Sequence, residues 1–148
     1  MGRVLNTNST GKVRNQMMRT AAELLRHLSQ KPAIDDEARD MTALLVYCLR
    51  SIDEGIEASA AVWENRDYWL KAEQLRQRWG WTSSAIARLE HVIRTDSWEM
   101  LPAILADLFE HFADIRVTKL TRSPDAWLGA YDRLVDELAQ PPRRDGQS

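Results

Sequence analysis

The residues of this chain best suited to acid–base or metal chemistry are three histidines, one cysteine and their acidic neighbours. Glu23 with His27 and Asp107 with His111 stand four residues apart, so each pair shares one face if the segment is helical. Glu90-His91 and Glu110-His111 are adjacent pairs and point in different directions. The Glu-x-x-His spacing by which helical bundles hold paired metal ions does not occur, so no metal ligands are assigned. Cys48 falls within an apolar helical stripe, where a thiol packs as a small hydrophobe and stays protonated. There is no glycine-rich phosphate loop, nucleophile elbow or zinc-type cysteine pair. Neither a catalytic residue nor a cofactor is expected.

The distinctive chemistry is aromatic. Five of the six tryptophans lie between Trp63 and Trp98, and tryptophan outnumbers the three tyrosines and two phenylalanines combined. Trp63, Tyr68, Trp69, Trp79 and Trp81 are interleaved with Arg66, Asp67, Lys71 and Arg76. Flat apolar rings beside charge are the composition of a protein-binding hot spot. A bland reading stands beside this one: at helical spacing these rings fill a bundle core and its rim. Buried indole N–H groups need partners, however, and six tryptophans exceed what one small bundle needs, so several should be half exposed. The leading expectation is a non-enzymatic interaction or assembly module that docks a protein partner or its own copy through the Trp63–Trp81 face. The alternative is a small-molecule binder or enzyme with a tryptophan-lined cavity and Arg66, Asp67 and Tyr68 as polar contacts. Nucleic-acid binding is disfavoured, because Glu64, Asp67 and Glu73 sit among the cations and the net charge is −2.

Helical periodicity positions nearly all of these residues, and no strand-like alternation is long enough to compete. Ser9 or Thr10 is expected to cap a first helix to about Gln30, ended by Pro32. Asp35 or Asp36 caps a second, carrying Met41, Leu45, Leu49, Ile52 and Ile56 on one face. With no proline before Pro102, this helix is expected to continue to about Trp79, roughly 60 Å, as one rod with possible bends at Gly55 or at 64–67. Gly80 then serves as C-cap, and Thr82 or Ser83 as N-cap of a third helix. Pro102 opens a fourth helix, and Ser123-Pro124 opens the last, which includes Trp127 and Leu128. The basic connector between them, Arg116 to Arg122, is a candidate docking loop. The expected architecture is all-α, an antiparallel bundle of four to five helices with a long second helix. Residues 1–10 form a flexible leader, 11–139 the single domain and 140–148 a disordered tail.

At 148 residues, with 44% apolar and 28% charged residues, the composition suits one soluble domain with a substantial core. A lone cysteine excludes an internal disulfide. The first residues carry no apolar signal segment. The longest apolar run, Ala43 to Leu49, is far below the roughly 20 residues of a membrane span, so no membrane insertion is expected. A bacterial cytoplasm is the expected setting. From Trp63-Glu64-Asn65-Arg66-Asp67-Tyr68-Trp69-Leu70-Lys71-Ala72, through Arg76 and Trp79, to Leu101-Pro102-Ala103-Ile104 and Thr118-Lys119-Leu120-Thr121-Arg122, the sequence resembles a group of short all-helical proteins of cyanobacteria and related photosynthetic bacteria. That resemblance covers most of the chain after Ile34. It implies a helical fold and a bacterial setting, and no catalytic residues.

Overall fold

The computed structural model describes residues 7–140, with side chains from Thr10 onward. Six α-helices account for most of it: α1 (Thr7–Gln30), α2 (Asp36–Asn65), α3 (Trp69–Trp79), α4 (Trp81–Thr95), α5 (Leu101–Phe109) and α6 (Ala130–Ala139). No strand occurs among the described residues. Helix α1 already begins at Thr7, inside the span expected as a leader. Residues 1–6 and the tail from 141 lie outside the described residues.

Helix α2 is the axis of the bundle. Asp35 caps it as expected, its carboxylate accepting from the Ala38 N–H at 2.8 Å, and Asp36 and Glu37 follow at the positive end of the helix dipole. Met41, Leu45, Leu49, Ile52 and Ile56 are buried along it. Each such side chain removed from water contributes about 2 kcal/mol. Around this stripe lie Leu24 and Leu25 of α1, Leu89 and Val92 of α4, Ile104 and Leu108 of α5, and Leu134 of α6. At thirty residues α2 is about 45 Å long. Helix α1 runs antiparallel to it, and Gly55 leaves room for Thr10, whose methyl would lie 3.3 Å from an added Cβ.

The expected continuation of α2 to Trp79 is corrected by the structure. The helix stops at Asn65, and the chain reverses within three residues. The Tyr68 N–H reaches back to the Trp63 carbonyl (2.9 Å) and the Asp67 N–H to the Glu64 carbonyl (2.9 Å). This is the paired bonding of a Schellman termination. Asp67 occupies the left-handed position, φ 64°, that glycine usually takes. Trp63 and Tyr68, three residues before and two after the Arg66 cap, meet edge to face at 5.8 Å, the apolar contact that accompanies the motif. Much of the Trp63–Trp69 run is therefore a helix-ending device. The Asp67–Lys71 pairing expected of a continuous helix is lost with it, and Lys71 lies 4.8 Å from the Trp63 ring centre instead.

Helices α3 and α4 together retrace α2. Gly80 is the C-cap of α3 as expected, in the right-handed region (φ −61°), so the chain bends there without leaving helical geometry. Thr82 and Ser83 do not cap α4. Their hydroxyls donate backward to the Trp79 (2.8 Å) and Gly80 (3.2 Å) carbonyls. Helix α5 starts with Pro102 in its first turn as expected and tightens into a 3₁₀ turn through Phe112. The last helix begins later than expected. Pro124–Ala126 is a 3₁₀ turn, Trp127 is buried ahead of the helix, and Gly129 takes φ 79° before α6 starts at Ala130. Asp40 of α2 accepts from the Tyr131 N–H at 3.0 Å, so the cap of α6 comes from a distant helix.

Candidate functional site

Three sets of arginine–carboxylate ties fix the helices that carry the aromatic residues. On α2, Arg50 donates to Glu90 of α4 (2.9 Å) and to Glu137 of α6 (2.7 Å), while the Tyr47 hydroxyl donates to the other Glu137 oxygen (2.7 Å). Burial and that bond to Glu137 push the Tyr47 pKa up to about 12. Arg76 of α3 forks onto both oxygens of Glu64 (2.8 and 3.0 Å) and reaches Glu57 at 3.1 Å, which clamps α3 against α2. Glu57 of α2 thus supplies one carboxylate to Arg76. Asp53 supplies another to the Thr82 hydroxyl at 3.3 Å.

The third tie holds the basic connector. Glu23 of α1 is buried, and both of its oxygens accept from the Thr121 hydroxyl at 2.8 Å. One also accepts the Thr121 N–H at 2.5 Å. Arg122 lies 3.7 Å from the same carboxylate and donates to the Thr20 hydroxyl at 3.0 Å. Burial alone would raise the Glu23 pKa. The Thr121 donors, with Arg122 and Arg19, outweigh it and hold the carboxyl below its ordinary value. The Arg116 and Val117 carbonyls accept from Arg19 and Arg26. These bonds strap the connector onto α1.

The nine residues expected to form one interaction face fall into three groups. At the α2–α3 tip, Trp63 is half buried while Arg66, Asp67, Tyr68, Trp69 and Lys71 are exposed. Tyr68 is 51% exposed, Trp69 60% and the adjoining Leu70 71%, three consecutive large apolar side chains in water. Arg76 is committed to its two glutamates. Trp79 and Trp81 form the third group, at the other end of α3. Their rings lie 5.9 Å apart, and His111 stacks on Trp81 at 4.3 Å with planes only 6° apart. Trp98 and Trp127 are core residues, the Trp98 indole donating to Asp96 at 2.7 Å.

Beside Trp79 and Trp81 opens a cleft of about 630 Å³, bounded by α1, the α3–α4 bend and the start of the connector. Arg66, Asp67 and Tyr68 line none of it. Its cations are Arg19, Arg78 and Arg116. Arg14, next to it, lies with its guanidinium 5.3 Å from the Trp79 ring centre. From sequence Arg78 belongs only to a basic run and Arg116 only to the connector, and nothing joins them to Arg14 and Arg19. The available signal was weak, since Arg14 and Arg19 are scores of residues away from Arg78 and Arg116.

At the opposite end of α2 is an apolar cleft of about 560 Å³, walled by Leu28, Ile34, Trp98, Leu105 and Phe109 and edged by Lys31 and Glu99. No group of three or more histidine, cysteine or acidic residues poised for a metal ion occurs among the described residues. His27 faces Glu37 at 3.9 Å, and His91 is exposed. Burial pushes the Cys48 thiol up to about 12, which keeps it protonated. No described helix is long and apolar enough to cross a membrane. Compared with protein-family models, characterised proteins and solved structures, the chain matches none, so its site is defined by its own residues alone.

Proposed function

We propose that this protein is a non-enzymatic assembly module of the bacterial cytoplasm, and that the α2–α3 tip is its docking surface. One observation carries the reading: Tyr68, Trp69 and Leu70 are consecutive, large and mostly exposed at the end of a helical hairpin. Leaving three neighbouring large apolar side chains in water is unfavourable, and such exposure marks interaction sites on folded proteins. The hairpin supplies rigidity, because Arg76 locks α3 to α2 and the Trp63–Tyr68 contact fixes the reversal.

The occupant that fits is a second copy. The apolar cleft at the far end of α2 offers Leu28, Ile34, Leu105 and Phe109 to an incoming ring, and its rim carries Glu99 together with Lys31, itself paired with Asp35 and Glu37. The tip brings Arg66 and Lys71 beside its rings. Tip into cleft is a head-to-tail contact, in which two different surfaces meet. Light scattering across a concentration series tests this. Growth of the species with concentration, lost in Trp69→Ala and in Phe109→Ser with helicity unchanged, supports head-to-tail association. A strict monomer at every concentration overturns it. The alternative, a small-molecule binder, draws on one separate observation, the cleft beside Trp79 and Trp81.

A further inference from the structure

The cleft beside Trp79 and Trp81 is lined by more cations than acids. Arg78 and Arg116 make no ion pair among the described residues. Arg19 shares the already committed Glu23 at 3.6 Å. Asp114 is the one acid among the described residues lining the cleft. Arg14 is half buried, and no carboxylate is paired with it among the described residues. Burial and then the nearby charge of Arg78 lower its pKa, so the folded chain holds two like charges together at a cost. An incoming anion would relieve that cost.

The walls narrow the chemistry. Trp79 and Trp81 present rings rather than polar groups, and His111 extends the stack. At about 630 Å³ the cleft falls within the size range of small-molecule sites. Guanidinium forks match the paired oxygens of a phosphate, and aromatic walls suit a flat ring carried with it.

We infer that this cleft binds a small phosphomonoester carried on a flat ring, of the nucleoside monophosphate class, with Arg78 and Arg116 on the phosphate and Trp79 and Trp81 against the ring. The site stands apart from the docking tip. Ten residues of α3 separate Trp69 from Trp79, about 15 Å.

Calorimetric titration of the full chain with adenosine monophosphate, inorganic phosphate and adenosine tests the assignment. Saturable binding of the monophosphate that weakens with added salt is expected. Arg78→Gln and Arg116→Gln should each weaken it about tenfold or more, the loss of one charged hydrogen-bonding partner. Arg78→Lys should recover part of the loss, and circular dichroism should report unchanged helicity, since both arginines are exposed. Trp69→Ala should bind the monophosphate as the parent does, which separates this site from the assembly reading. Absence of binding by both monophosphate and phosphate overturns the inference, as does binding indifferent to the Arg78→Gln and Arg116→Gln changes. Inorganic phosphate binding as tightly as the monophosphate overturns the ring-bearing ligand. Adenosine binding equally well overturns the phosphate.

Discussion

Two sets of arginines in this molecule have opposite surroundings. Arg50, Arg76 and Arg122 each lie within ion-pairing distance of one or two carboxylates on another element. Arg14, Arg78 and Arg116 have no carboxylate partner among the described residues, and they gather around Trp79 and Trp81. The first set holds helices in place, because a guanidinium fork fixes both distance and angle to its partner. The second makes no ion pair among the described residues, Arg14 lying only against the Trp79 ring, so ion pairing within the fold does not account for its clustering. A protein with a net charge of −2 has enough acids to neutralise these positions. Leaving them unneutralised is what an anion site requires.

Substitutions sharpen this contrast. The largest effect is expected at Glu23, where the connector, Arg122 and Arg19 converge on one buried carboxylate. Glu23→Ala should cost about 3 kcal/mol in urea unfolding, because it takes the shared charged acceptor from the Thr121 N–H and hydroxyl and from Arg122. Acid should probe the same ties. The carboxyls of Glu23, Glu64 and Glu137 are lowered in the folded state, so the unfolded chain takes up protons first as pH falls. Stability should be complete above the ordinary glutamate value of about 4.3 and decline below it, toward the lowered folded values. Glu23→Gln should flatten that decline, and an unchanged pH profile would break the assignment.

Arg50→Ala comes next, at about 1–2 kcal/mol, since it leaves the largely buried Glu90 without its Arg50 partner. Thermal unfolding of that variant measures it. Arg78→Gln should be smallest, within about 0.5 kcal/mol of the parent and in the stabilising direction. It removes a like charge from beside Arg14. A clear destabilisation by Arg78→Gln would place Arg78 among the structural arginines and erase the contrast between the two sets.

Periodicity and caps were legible from local order. The apolar stripe of α2, its Asp35 cap and the proline-started α5 depend on residues within one or two turns of one another, so they could be read directly. The end of α2 was not, because Asp67 does the work that glycine advertises. The aromatic run drew attention for the right composition, yet part of it turned out to end a helix. Tyr68, Trp69 and Leu70 are exposed only because α3 packs back along α2.

The amino-acid order alone therefore determined an all-helical chain, a long second helix and a local excess of tryptophan beside charge, since each follows from neighbours in sequence. Only the tertiary structure decided which charges are spent. Glu23 meets Thr121 across ninety-eight positions, and Arg50 meets Glu137 across eighty-seven. No local pattern distinguishes those residues from Arg78, which meets no acid at all among the described residues. Whether a guanidinium holds the fold or stands ready for a ligand depends on what the packing brings within about 4 Å of it, and that is a property of the folded chain.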